Sequence, residues 1–196
     1  AALEDLAAHA AGHAISERLR AKIRSLNQAV RNANDGVSLV QTAEGALGED
    51  SNILGRMKEL AVQARNGTTS SSDRATLDEE FQSLIAALDP TASATTFGGV
   101  QLLDGTATTI EFQVGDGTTA GVDTFTASLS DVTTGASGLN VTGLSIDVSC
   151  MTTIDTVIDT LDSSIDTVNA ARGRFGAALN RLSSTVSSLN ISIENL

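Results

Sequence analysis

"RNANDGVSL", residues 31–39, carries Asn34, Asp35 and Gly36 in succession, three poor helix formers that ordinarily mark a turn. Whether the chain turns there decides the fold, because apolar residues stand at helical spacing on both sides. Leu26, Val30, Ala33, Val37 and Val40 pass through the triplet in steps of four and three without losing phase, and a turn has no reason to keep helical register. An interior Gly costs about 1 kcal/mol and Asn or Asp about half that or slightly more. Burial of a few aliphatic side chains, at about 1.5–3 kcal/mol each, exceeds that total. The pattern predicts one helix from about residue 3 to residue 66, extended by Leu19 before the triplet and by Leu47, Leu54, Met57, Ala61 and Ala64 after it.

"RNGTTSSSDRATL", residues 65–77, behaves differently. After Asn66-Gly67 come five Ser and Thr residues with nothing apolar until Ala75, so here the helix stops. Ser72 or Ser71 is placed to cap a second helix with Asp73 in its first turn. Leu77, Phe81, Leu84, Ile85 and Leu88 give that helix an apolar face, and Asp89-Pro90 is expected to end or kink it. Near the other end, Ile154, Ile158, Leu161, Ile165, Val168, Phe175, Leu179, Leu182, Val186, Leu189 and Ile193 are spaced by fours and threes, with one seven-residue step across Arg172. This heptad seam implies a helix roughly 60–70 Å long at about 1.5 Å per residue, which needs partner helices. Residues 97–148 are rich in Gly, Thr, Val and Asp. They hold alternating runs such as "TIEFQVG" and "DTFTASLS", and "QVGDGTTAGVDTF" reads as a hairpin connection.

Composition points the same way. Of 196 residues 41% are hydrophobic but only 3% aromatic, with no Trp or Tyr, which suits long helix–helix seams better than a ring-filled globular core. A net charge of −12, from 24 acidic and 12 basic residues, disfavours nucleic acid and anionic membrane as partners. No apolar run is long enough to cross a bilayer, and the stretch at the start shows no basic region followed by a hydrophobic core and cleavage site. The start "AALEDL", without Met, and the end "SIENL", in mid-pattern, read as those of a fragment trimmed at both ends. The single cysteine, Cys150, permits no internal disulfide and reads as a small apolar residue at a strand–helix junction.

Motifs for catalysis are missing: no phosphate-binding Gly loop, HExxH, CxxC or Gly-x-Ser-x-Gly occurs. His9 and His13 stand at i and i+4 with Asp5 one turn earlier, and they read as a helix face without a functional metal. Asp78, Glu79 and Glu80, and the series Asp155, Asp159, Asp162 and Asp166, read as solvated helix faces rather than an acid/base array. The sequons at Asn66, Asn140 and Asn190 carry no weight.

The stretch from "SLNQAVRNANDGVSLVQTAEGALGEDSNILGRMKELAVQARNGTTSSSDRATLDEEFQSLIAALD" through "TTFGGVQLLDG" closely resembles the N-terminal conserved region of bacterial flagellins. "IDTVNAARGRFGAALNRLSSTVSSLNISIENL" resembles their C-terminal conserved region, and "FQVGDG" looks like a flagellin hairpin. The resemblance spans roughly residues 8–105 and 150–196, with the two regions in the family's order. It implies a mainly α chain forming an elongated antiparallel helical rod: a long N-terminal helix, a shorter second helix and a long C-terminal helix, with a small β-hairpin segment. The corresponding segments are 1–96, the N-terminal part of the rod; 97–149, the β-hairpin or variable part; and 150–196, the helix completing the rod. The extreme terminal polymerisation helices of the family are not represented.

The function the resemblance implies is that of a non-catalytic, secreted subunit self-assembling into the extracellular flagellar filament for motility. No cofactor is implied. The partners are other flagellin subunits, hook-associated junction and cap proteins, an export chaperone and the flagellin-sensing Toll-like receptor. The alternative is a surface ligand or adhesin, including an agonist of that receptor; an enzyme carried on a flagellin insert is a third. An Arg, a Leu and a Glu that in some flagellins serve receptor and subunit contacts match Arg56, Leu60 and Glu80. Arg56 and Leu60, at i and i+4, are expected to share a face, with Glu80 brought beside them by an antiparallel neighbour. Gly55 stands where a polar residue is usual, Lys58 where a second Arg is, and Ala8-His9 where two Asp are.

Overall fold

The computed structural model of the chain describes residues 2–148 and 151–196, without the side chains of residues 2–8, 10 and 11. The helices are α1 (Ala2–Arg65), α2 (Ser71–Ala94) and α3 (Met151–Glu194). Between α2 and α3 lie β1 (Thr96–Phe97), β2 (Val100–Gln101), β3 (Thr109–Gln113) and β4 (Thr124–Ser128). Cys150 falls outside the described residues. The mainly α class and the small strand pairs agree with the sequence reading, and α1 runs without interruption through Asn34, Asp35 and Gly36.

The register of the seam differs from the one the large aliphatic residues suggest. From Leu26 a line of buried positions runs along α1 through Ala29, Ala33, Gly36, Val40, Ala43, Leu47, Asp50, Leu54, Met57, Ala61 and Ala64, in alternating steps of three and four, with Leu39 and Leu60 buried beside it and Val30 and Val37 flanking it half-buried. In α3, Val157, Ser164 and Ala171 are buried where Ile158, Ile165 and Arg172 are half-buried. Small residues at the centre let backbones approach, and the larger side chains close over the sides, giving a stripe wider than a strict heptad seam.

Two compact units divide the chain, one holding Ala1–Ser38, Glu111–Ala127 and Ala178–Leu196, the other Leu39–Ile110 and Ser128–Ala177. In the first, Leu26, Ala29 and Leu189 form a small core against which Val30 and Ile193 pack. Gly36 explains how the triplet survives there. A Cβ at Gly36 would lie 3.2 Å from Leu182 Cδ1 and 3.4 Å from Phe112 Cδ2, so the bare backbone admits side chains of α3 and β3. The Asn32 side-chain amide donates to the Gln113 carbonyl at 2.9 Å, tying β3 to the same turn. Gly36→Leu is therefore expected to destabilise by about 1–3 kcal/mol through overpacking. Gly36→Ala changes little, because a helix-propensity gain of about 1 kcal/mol opposes the tight contact with Leu182. Denaturant midpoints of the two variants check this.

In the second unit Leu47, Leu54, Met57, Phe81, Leu88 and Ile154 are fully buried. The chain leaves α1 at Asn66, whose N–H donates to the Gln63 carbonyl, and Thr69 N–H closes onto the Asn66 carbonyl at 3.0 Å. Ser70 caps α2, not Ser71 or Ser72. Its Oγ accepts from Asp73 N–H and the Asp73 carboxylate accepts from Ser70 N–H, both at 3.2 Å, a reciprocal capping box that only the residue three before Asp73 can make. The Ser70 hydroxyl also donates to Asp73 Oδ2 at 2.7 Å, and this bond first and the Ser70 backbone N–H second hold the Asp73 carboxyl below its ordinary pKa. Pro90 does not end α2, which continues to Ala94. Leu88 and Ala92 are fully buried on either side of it, and the Thr91 hydroxyl donates back to the Ala87 carbonyl at 3.0 Å.

β1 and β2 form an antiparallel hairpin pairing Thr96 with Gln101 and Phe97 with Val100. Its two-residue turn, Gly98-Gly99, has φ of 59° and 84°, the positive pair that a type I′ turn requires. β3 and β4 form the second strand pair, continued by Val114 N–H onto the Asp123 carbonyl at 2.7 Å. The irregular chain after β4 is pinned to α2. Asp89 accepts from Thr134 N–H at 2.8 Å, Asp78 from Ile146 N–H at 2.7 Å, and Gln82 donates to the Leu144 carbonyl at 2.7 Å.

Candidate functional site

Among the described residues three ion pairs join α1 to α3 in the second unit. Glu44 pairs with Arg172 at 3.1 Å, Lys58 with Asp162, and Arg65 with Asp155 through two bonds of 2.5 and 3.1 Å. As the α1 number rises the α3 number falls, so the two helices run antiparallel within this unit. Each partner is roughly two-fifths to half exposed, so each pair adds little to stability and serves chiefly to fix register. Asp155 and Asp162 are thus paired rather than merely solvated. The Arg65 guanidinium, through its hydrogen bonds, holds the Asp155 carboxyl below its usual range.

Arg56 and Glu80 come together as the family match implies. Arg56 Nε and Nη2 both lie 2.8 Å from Glu80 Oε1, and Nη1 donates to Glu59 Oε2 at 3.1 Å. The hydrogen bonds that the guanidinium donates to Glu80 first and Glu59 second raise its pKa above its ordinary value. Side-chain exposures of 47% and 46% leave Arg56 and Glu80 open to a partner.

Leu60 is another matter, with an exposure of 0%. The Arg56–Glu80 bond sets α2 against this side of α1, so one turn beyond Arg56 the leucine is covered rather than presented. The expected shared outward face therefore reduces to Arg56, Glu59 and Glu80, with Leu60 as packing beneath them. Beside this group the outer side of α1 carries a shallow hollow of about 440 Å³ lined by Gly55, Lys58, Glu59, Val62 and Gln63. Val62 is 53% exposed there. Sequence reasoning passed over Val62; its signal was a large aliphatic one residue off the seam position Ala61.

His9 and His13 are exposed on α1, and the Asp5 side chain lies outside the described residues. Among the described residues no group of three or more His, Cys, Asp and Glu gathers in metal-binding reach, and no helix is long and apolar enough to cross a membrane. The arrangement offers charge complementarity and a small apolar hollow on a helix face, which is the chemistry of protein–protein contact.

Residues 4–108 match the family model for the bacterial flagellin N-terminal helical region. Over 106 residues the chain is 53% identical to a flagellin of Halalkalibacterium halodurans, a match covering 54% of this chain and 39% of that relative. It is 54% identical over the same length to the B-type flagellin of Pseudomonas aeruginosa, covering 22% of it. The match thus spans well under half the length of these curated relatives. The crystal structure of Bacillus cereus flagellin is similar with a TM-score of 0.69 at 38% identity, covering 81% of this chain and 88% of that one.

Proposed function

The chain belongs to the bacterial flagellin family, and from that premise we propose that it is a structural subunit that polymerises with copies of itself into the extracellular flagellar filament and catalyses nothing. The single observation that carries this reading is the seam of α1, buried every third and fourth residue from Leu26 to Ala64, within a region matching flagellins at about half identity. A helix of 64 residues held by small side chains is a scaffold for lateral contacts rather than an enclosure for a substrate. Hook-associated junction and cap proteins and an export chaperone are further proposed partners.

Arg56, Glu59 and Glu80 are proposed as part of a subunit contact, with Leu60 supporting them from below. Arg56→Glu, made in the complete reading frame, is expected to leave folding stability little changed, since the pairs it breaks are half-exposed. It is expected to raise the protein concentration needed for assembly by roughly tenfold, because a like charge set into a contact costs at least about 1.4 kcal/mol. Unchanged assembly would remove Arg56 from the interface. The same exposed pair is the basis of a second reading, as a ligand of the flagellin-sensing Toll-like receptor. A receptor-reporter assay with Arg56→Ala and Glu80→Ala tests it, and silence of the unmodified protein ends it.

A further inference from the structure

We propose that Asn66 is a site of spontaneous covalent modification, losing its side-chain amide through a cyclic imide with the Gly67 backbone to leave aspartate or isoaspartate in the loop joining α1 to α2. The chain contains four places where Asn or Asp precedes Gly: Asp35-Gly36, Asn66-Gly67, Asp104-Gly105 and Asp116-Gly117. Only the second offers an amide, whose nitrogen leaves as ammonia more readily than a carboxylate oxygen leaves as hydroxide.

Surroundings separate the four further. A Cβ placed on Gly36, Gly105 or Gly117 would meet Leu182 at 3.2 Å, Asp131 at 2.8 Å or Asp123 at 2.4 Å, whereas at Gly67 nothing lies within 4 Å. Gly36 is also inside α1, where its N–H belongs to the helix ladder. Asn66 and Gly67 are both exposed. The bonds that close this loop run from Asn66 N–H and the Thr69 hydroxyl to the Gln63 carbonyl, and from Thr69 N–H to the Asn66 carbonyl. None of them uses the Gly67 N–H, the nitrogen that has to attack.

The loop also aims and activates the amide. Thr68 N–H lies 3.4 Å from Asn66 Oδ1, which turns the side chain back over its own backbone and sets a donor on the oxygen where negative charge develops. A backbone N–H so placed stabilises a tetrahedral intermediate in the manner of an oxyanion hole. In the first step Gly67 N gives its proton to hydroxide, forming water, and bonds to Asn66 Cγ; the Cγ–Nδ2 bond then breaks as Nδ2 takes a proton from that water and leaves as ammonia, which regenerates the hydroxide. In the second step one water adds to the imide. Attack at Cγ opens the new bond and leaves aspartate, while attack at the Asn66 backbone carbonyl carbon opens the original peptide link and leaves isoaspartate, with the main chain rerouted through Cγ. Over the two steps one water is consumed and one ammonia is released. Either product places a new carboxylate between the Arg65–Asp155 pair and the Ser70–Asp73 cap.

The test is incubation of the folded protein at mildly alkaline pH, followed by peptide mapping that separates asparagine, aspartate and isoaspartate and by measurement of released ammonia. Acid product at Asn66 is expected to appear roughly tenfold or more faster than at Asn34 or any other asparagine of α1 and α3. Gly67→Ala, whose Cβ meets open space and so leaves the fold intact, is expected to slow it roughly tenfold by crowding the attacking nitrogen. Asn66→Gln should abolish it and the matching ammonia. Retention of the Asn66 amide at the rate of Asn34, or equal conversion in Gly67→Ala, would overturn the proposal.

Discussion

Asp50→Leu is expected to stabilise the chain by roughly 4 kcal/mol at pH 8 and by much less at pH 4. Asp50 occupies the α1 seam between Leu47 and Leu54 at 0% exposure, and neither carboxylate oxygen has a hydrogen-bond partner. Burial first, and the neighbouring Glu49 charge second, push its pKa from 3.8 to about 7. The unfolded chain releases this proton near pH 4 while the folded chain keeps it, so in that window the folded state binds more protons and stability falls as pH rises. The loss is absent below about pH 4, complete above about pH 7, and amounts to roughly 4 kcal/mol at about 1.4 kcal/mol per pH unit. Asp50→Asn should flatten the profile across the same window while leaving an unpaired polar group in the seam. Denaturant midpoints measured from pH 4 to pH 8 read both effects, and parallel profiles for the original chain and Asp50→Leu would show that the carboxyl is not buried as described.

Phe81→Ala is expected to destabilise by about 3–5 kcal/mol. Phe81, Leu88 and Ala92 are the buried apolar residues of α2, and Phe81 is the only ring among them. Because Asp78 and Asp89 of the same helix hold the Ile146 and Thr134 amides, loosening α2 should also release those two amides to faster hydrogen exchange. Val62→Ala, at a half-exposed site, serves as the comparison and should move stability by no more than about 0.5 kcal/mol. A Phe81→Ala loss below about 1 kcal/mol would mean that α2 is not docked through this ring.

What the sequence made legible was what hydropathy phase carries: the continuity of α1 through Asn34, Asp35 and Gly36, its stop at Asn66, and the length of α3. What it hid was the exact line of contact, because Ala29, Gly36, Ala43 and Ala171 contribute little hydropathy signal while Val30, Val37 and Ile158 beside them contribute much. The same bias concealed Asp50, although its spacing of three from Leu47 and four from Leu54 marks the seam. Ser70 was overlooked in favour of Ser71 and Ser72 because composition does not rank neighbouring serines, whereas the three-residue spacing to Asp73 does. The Gly98-Gly99 turn was readable as a hairpin signal but sat inside a Gly-rich stretch. At the proposed contact, helical spacing put Leu60 beside Arg56, but spacing cannot tell which flank of α1 a second helix covers.

The stability predictions concern one chain, and the proposed function concerns many. Electron microscopy of the protein expressed from its complete reading frame, at high concentration with an excluded salt that favours association, tests that function most directly. Long filaments built from this chain are expected; a stable monomer under those conditions would contradict that function.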